Sequence, residues 1–193
     1  MRRLILKGVL VSLLALGGLA APAWAQNREK AWEINPYAGS LAFRETNGQK
    51  ILKNTWDVGF RFGYHWTKHQ MMEFGFFGAS TEDGEGQGLN VDLLGGQVNY
   101  NYNFFMQRRG KVVGFVTGGV GLLNISSFGF VGDPDLIGDK VEFSYNYGAG
   151  IRLFGGPRAG FRFDVRHVTF SDNNVDVNYL ETVVGMSIIL GGA

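Results

Sequence analysis

From residue 27 onward, large apolar or aromatic residues alternate with small or polar ones. Trp56, Val58, Phe60, Phe62, Tyr64 and Trp66 are separated by Asp57, Gly59, Arg61, Gly63 and His65. Val141, Phe143, Tyr145, Tyr147, Ala149, Ile151 and Leu153 repeat the pattern against Glu142, Ser144, Asn146, Gly148, Gly150 and Arg152. Leu94, Gly96, Val98, Tyr100, Tyr102 and Phe104 do the same against Gly95, Gln97, Asn99, Asn101 and Asn103. Shorter runs centre on Trp32 and Ile34, on Met72, Phe74 and Phe76, on Phe161, Phe163 and Val165, and on Val184, Met186, Ile188 and Leu190. A period of two is the mark of strands, because successive side chains leave a strand on opposite faces. Together with the Gly- and Val-rich stretch 112–123, the pattern predicts eight strands: 31–42, 55–66, 71–80, 91–104, 112–123, 141–154, 160–170 and 179–190. At about 10–14 residues each, they are long enough to cross a bilayer at a tilt.

Which face is bulky decides between a soluble and a membrane architecture. One face carries Trp, Phe, Tyr and Val at nearly every position; the other carries Gly, Ser, Asn and charged groups. The interior of an eight-stranded barrel is only wide enough for side chains to fill. It cannot take all those rings, so they face outward, and an apolar outer wall belongs in lipid. The expected fold is an all-β, eight-stranded antiparallel up-and-down transmembrane β-barrel, closed because lipid cannot satisfy a free sheet edge. The connections 67–70, 105–111 and 155–159 are short, and 43–54, 81–90, 124–140 and 171–178 are longer. This asymmetry predicts short periplasmic turns, longer extracellular loops and both termini in the periplasm. Trp66, Phe104, Phe105 and Phe154 are expected in an aromatic girdle at the inner interface, with Trp56 and Tyr179 at the outer one.

The N-terminus supports export. Arg2, Arg3 and Lys7 precede an apolar run from Val9 to Ala20, and Ala23-Trp24-Ala25 forms an A-x-A cleavage site. The expected division is a cleaved signal peptide, 1–25, and a barrel domain, 26–193. Loss of the three basic residues takes the 18 Lys and Arg below the 17 Asp and Glu, so the mature chain is slightly acidic. With no long basic run, nucleic acid is not expected as a partner. Cysteine is absent, which excludes disulfide scaffolds, thiolate metal sites and a lipid-anchored N-terminus. The 30 glycines are about twice the usual ~7% share and follow no collagen period.

The export signal, the eight alternating segments and the glycine-rich inner face resemble the small eight-stranded outer-membrane barrels, including the transmembrane domain of OmpA-like proteins. The segment Phe161-Arg162-Phe163-Asp164-Val165-Arg166-His167, followed by a last strand with Gly185-Met186-Ser187, is similar to the end of barrel-only members. The resemblance implies the outer membrane, with lipid and lipopolysaccharide around the wall and the barrel-insertion machinery as a partner during assembly. It implies no single activity, and the cell-wall tether of OmpA-like proteins is not expected. The family's terminal aromatic residue, which that machinery reads, has no counterpart at Gly191-Gly192-Ala193.

Inward parity collects Glu33, Asp57, Arg61, Glu73, Glu142, Arg152, Arg162, Asp164, Arg166 and Glu181. Arginine forks bind carboxylates in pairs, and unpaired charges in a narrow lumen are costly. The set therefore predicts a salt-bridged plug; the alternative is a narrow pore for small solutes or apolar molecules, its selectivity set by these charges. His167, Ser171 and Glu181 invite comparison with lipid-modifying barrel enzymes; Thr169 is nearer to His167 but a poor match for the serine. However, His167 and Ser171 lie ~13 Å apart along a strand, beyond the reach that activates a nucleophile, and Glu181 has the opposite facing. No enzyme activity and no cofactor are expected. Asp133, Asp135, Asp139, Glu82, Asp83 and Glu85 lack the spacing of a calcium loop. His65, His69 and His167 share no metal spacing, and Gly119-Val120-Gly121 and Gly148-Ala149-Gly150 read as strand glycines. The expected role is non-enzymatic: a monomer serving envelope structure, or binding an envelope protein through its outer loops, with Phe128 and Phe130 as the candidate contact.

Overall fold

The structure, a computed structural model, describes residues 29–45, 52–82, 90–105, 111–128, 140–172 and 175–192. The segment 1–25, expected to be cleaved, lies outside them. Eight strands follow in order: β1 (Ala31–Phe43), β2 (Thr55–His65), β3 (Gln70–Glu82), β4 (Asn90–Phe105), β5 (Val112–Phe128), β6 (Lys140–Phe154), β7 (Ala159–Asp172) and β8 (Val175–Gly191). Each pairs antiparallel with the next, and β8 returns to β1 to close the barrel. The closing ladder runs from Phe43 opposite Tyr179 to Ala31 opposite Gly191, so both ends of the strand sequence lie at one rim. That rim, with connections 66–69, 106–111 and 155–158, is the turn end; the opposite rim is the loop end.

Strand bounds match the alternation to within two residues except at the loop end of β5 and β8. β5 continues to Phe128 and β8 begins at Val175, leaving only 173–174 between β7 and β8 instead of the longer fourth loop expected at 171–178. The added rungs pair Asp92 with Ser126, Ser171 with Asp176, and Thr169 with Asn178. These rungs are polar on the outer face, while Ile125, Val177 and Tyr179 turn inward to the lumen cluster; the strands run past the hydrocarbon, where no apolar outer face is needed to mark them.

The two faces divide as the pattern implies. Trp56, Val58, Phe76, Leu94, Phe143 and Tyr147 are each more than half exposed on the outer wall, while Arg61, Arg152, Arg162 and Arg166 are fully buried inside. So large a continuous apolar exterior is a surface for lipid.

The interior is not purely small and polar. At the loop end Tyr37, Leu41, Phe43, Phe77, Leu93, Leu123, Val168, Phe170, Tyr179 and Val183 pack into one apolar cluster, and Ala31, Val113, Phe154 and Ile189 form a smaller one at the turn end. Each buried Leu or Phe contributes about 1.5–3 kcal/mol of transfer free energy. Tyr179 and Phe154, expected in the girdles, therefore face the lumen. Tyr179 sits 5.1 Å from the Phe43 ring, centroid to centroid. Both residues have inward parity on their strands, and a barrel end narrow enough to be filled selects bulk on that side. Trp66 and Phe104 stay exposed on the outer wall near the turn end, and Trp56 near the loop end; the side chain of Phe105 is outside the described residues.

Glycine makes room for the inward rings. The Tyr37 ring lies over Gly59 and the Phe77 ring over Gly95, each where a Cβ would stand. These cross-strand pairings of a large side chain with none let a narrow barrel close around aromatic residues.

Candidate functional site

The charged side chains, together with His65, meet in one layer between the two apolar clusters. β1 contributes Glu33, β2 Arg61 and His65, β3 Glu73, β6 Arg152, β7 Arg162, Asp164 and Arg166, and β8 Glu181, all buried. β7 places three of them on one face because residues two apart share a side of a strand. Asp164 is the hub: it accepts from Arg61 Nη1 at 2.8 Å, from Arg162 Nη2 at 2.9 Å and from Arg166 Nη2 at 3.2 Å. Glu73 accepts from Arg162 Nη1 at 2.5 Å and from Arg166 Nη2 at 2.7 Å. Toward the loop end Arg61 Nη2 reaches Glu181 at 3.3 Å.

Toward the turn end Glu33 gathers a second set. Arg152 Nε donates to it at 3.1 Å, Ser187 Oγ at 2.6 Å, and His65 Nε2 lies 2.9 Å away. Arg152 also donates to Asn103 Oδ1 at 2.8 Å. β5 adds no charge to the layer but supplies Phe115, whose ring lies 4.2 Å from the Arg152 guanidinium carbon and 4.6 Å from that of Arg162. Arg61 lies likewise over Tyr37, at 4.1 Å. Flat guanidinium faces against rings, with forks bonded edgewise, satisfy a buried arginine on both counts. The network ties strands from opposite walls of the barrel.

Two of the sequence candidates stand apart. Glu142 has inward parity but lies near the loop end, opposite Leu123, where it pairs with Lys140 at 2.9 Å and joins none of the buried arginines. Asp57 is buried beside the layer, yet neither of its carboxyl oxygens has a hydrogen-bond partner. His65, Asn103, Ser187, Tyr37 and Phe115 escaped the charge count made from sequence, although parity alone places all five on the inner face.

The residues considered for catalysis do not come together. Glu181 points inward to Arg61, while the His167 ring on the outer wall stacks on Tyr147 at 5.1 Å. Thr169 Oγ1 donates to Asn178 at 2.7 Å, and Ser171 is exposed. Among the described residues no group of three or more His, Asp or Glu could hold a metal ion. Glu82 pairs with Lys53 at 2.8 Å; Asp83, Glu85, Asp133, Asp135 and Asp139 lie outside the described residues. Gly119 and Gly121 lie within β5, and Gly148 and Gly150 within β6, all packed against neighbouring strands. Phe128 ends β5 opposite Asn90; its side chain and all of Phe130 lie outside the described residues.

Comparison with known proteins agrees with this architecture. The family model described as "Outer membrane protein beta-barrel domain" matches residues 11–187. No curated protein matches the sequence. Among solved structures, Neisserial surface protein A is similar at 12% identity with a TM-score of 0.61, the match covering 84% of this chain and 99% of that one. OprG from Pseudomonas aeruginosa is similar at 10% identity with a TM-score of 0.60, covering 87% and 99%. The outer membrane enzyme PagL is similar at 19% identity with a TM-score of 0.54, covering 79% and 97%. At these identities the likeness is one of fold, which hosts unlike activities. The chain is a member of the outer membrane protein beta-barrel domain family, and that family places it in the outer membrane.

Proposed function

We propose that the protein is a non-enzymatic, monomeric outer-membrane barrel with a closed lumen, serving envelope structure or binding an envelope partner through its outer loops. Both termini and the short turns lie in the periplasm, and the loop end faces outward into the lipopolysaccharide. The observation that carries the reading is the stacking of two seals in one lumen: the arginine–carboxylate layer and, outward of it, the apolar cluster around Leu41, Phe77 and Tyr179. A pore would need a continuous polar path, and the apolar cluster interrupts it. Among the described residues the outer wall brings no triad together: His167 and Thr169 are engaged elsewhere and Glu181 is on the opposite face.

Planar-bilayer recording tests the closed lumen. Wild type and Arg162→Ala are both expected to stay silent, because the apolar cluster remains when the charge layer is opened. Stepwise currents in wild type that grow in Arg162→Ala would overturn the reading in favour of a pore. Acyl release from purified lipid A, expected to be nil, tests the non-enzymatic assignment. A partner captured by wild type and lost on deletion of 129–139 would mark the loop that carries Phe130 as the contact.

A further inference from the structure

Among the described residues, the two rims of the barrel carry opposite charge. At the turn end a cation stands at each of the four places where chain enters or turns: Lys30 before β1, Lys68 between β2 and β3, Lys111 before β5 and Arg158 between β6 and β7. All four are exposed, and among the described residues Glu29 is the one carboxylate on this rim. At the loop end Glu45, Glu82, Asp92 and Asp176 are exposed against the exposed cation Arg44, and Lys53 and Lys140 are taken up by Glu82 and Glu142, so carboxylates stay in excess there.

The height of the four cations is fixed by backbone. The ladders continue into the turns: Asn103 N donates to His69 O at 2.6 Å, Phe154 N to Lys111 O at 2.8 Å and Ile189 N to Arg158 O at 2.7 Å. Lys30 adopts a φ of 54°, a left-handed turn that swings the chain into β1. On the outer wall beside them lie the exposed Trp32, Trp66, Phe104, Phe161 and Leu190. Such a collar marks the edge of the hydrocarbon, so the cations stand at headgroup depth, where long basic side chains extend from an apolar wall toward phosphate.

Their spacing argues for many small anions over one. Neighbouring cations are two strands apart, ~12 Å along a tilted wall, which exceeds a Debye length of ~8 Å at physiological salt. They cannot converge on a single anion, and because they encircle the barrel a globular acidic protein would meet one or two of them. A leaflet of headgroups meets all four. We propose that this rim is a ring of four sites for the phosphodiester headgroups of anionic phospholipids. That the leaflet in question is the periplasmic one rests on the orientation given under Proposed function.

Tryptophan reports on each rim separately. In a Trp56→Phe barrel, Trp32 and Trp66 remain beside the ring; in a Trp32→Phe/Trp66→Phe barrel, Trp56 remains at the loop end. Each refolded mature barrel is placed in phosphatidylcholine vesicles carrying brominated phosphatidylglycerol or brominated phosphatidylcholine, and quenching gives the relative affinity. The ring end is expected to prefer phosphatidylglycerol about fivefold, the selectivity of one basic residue near an anionic surface. That preference should fall toward one in 1 M salt and in Lys30→Gln/Lys68→Gln/Lys111→Gln/Arg158→Gln, whose heat-modifiable migration verifies folding. The Trp56 end is expected to show none. A preference that survives the four substitutions, or is equal at both rims, overturns the proposal. Orientation is read independently, by protease treatment of intact cells bearing a cleavable tag in the 67–69 turn. Cleavage there would reassign the leaflet and sink the orientation while leaving the lipid preference standing.

Discussion

Between Glu33 and Glu181 the lumen is packed with guanidinium–carboxylate pairs, whereas from Leu41 outward it is packed with aliphatic and aromatic side chains. Both layers exclude space within the same cylinder, but they respond differently to damage. Removing one arginine strands two or three carboxylates at low dielectric, while removing one leucine leaves a cavity that its neighbours partly fill. The charged layer is directional and joins opposite walls, so it can hold strands in register. The apolar layer adds burial without specifying partners.

The comparison predicts its largest effect at Arg162, whose guanidinium serves both Glu73 and Asp164. Arg162→Ala is expected to cost about 3–5 kcal/mol in urea unfolding from lipid vesicles, the range for breaking a buried ion pair from one side. Adding Glu73→Gln should recover part of that loss, because one stranded charge disappears, giving a coupling well outside additivity. Strict additivity would mean that the layer does not act as a network.

Leu41→Ala in the apolar layer is expected to cost less, near the lower end of the ~2–5 kcal/mol range for a buried leucine, since surrounding rings can relax into the gap. Combined with Arg162→Ala, its effect should add within error, as the two residues share no hydrogen-bond partner. A loss at Leu41 larger than that at Arg162 would reverse the ranking of the two layers.

Asp57→Asn should act in the opposite direction. This carboxylate is buried with no hydrogen-bond partner at either oxygen, beside a layer in which Glu33, Glu73, Asp164 and Glu181 already match the four arginines, so Asp57 is the carboxylate in excess. Replacing a charge by a neutral group of the same shape is expected to stabilise the barrel by about 1–2 kcal/mol, as removal of an imperfectly paired buried ion commonly does. Asp164→Asn, the same substitution at the hub, should destabilise it. If both substitutions act with one sign, pairing is not what separates the two sites.

How far these layers were legible in the sequence follows from what a period of two encodes. It encodes strand and face, so the eight strands, the lipid-facing rings and the inward arginines could all be read. It does not encode depth along the barrel axis, which register and tilt set. Glu142 and Arg152 share a parity, yet only register shows that Glu142 stands opposite Leu123, outside the charged layer. Tyr37, Phe77 and Tyr179 share the parity of charged residues on their own strands. Their place inside depends on bare glycines across the ladder, as at Gly59 and Gly95 for the first two, a complementarity invisible until strands are aligned. At the loop end the pattern failed for a different reason: the outward positions turn polar and the apolar ones, Ile125, Val177 and Tyr179, face the lumen, so no bulky outer face announces the ends of β5 and β8 and both read short.

The smallest effect belongs to the charge pair that lies beyond both layers. Lys53 and Glu82 meet at 2.8 Å with about half of each side chain exposed. The hydrogen bond from Lys53, and then its charge, hold the Glu82 carboxyl below the usual carboxylate range. A lowered carboxyl adds stability above its unfolded value and loses it as pH falls through its folded one, so any contribution is present at neutral pH and disappears in acid. Water screens the pair and its two long side chains give up rotamer freedom to meet, so that contribution is small. Lys53→Gln is therefore expected to leave the urea midpoint at pH 7 unchanged within error, and to leave the difference between pH 7 and acid unchanged as well. Like the contact of Arg162 with Glu73, this is a cation–carboxylate pair. A measurable loss at Lys53 would mean that ion pairs matter here wherever they occur, and that burial is not what gives the lumen layer its strength.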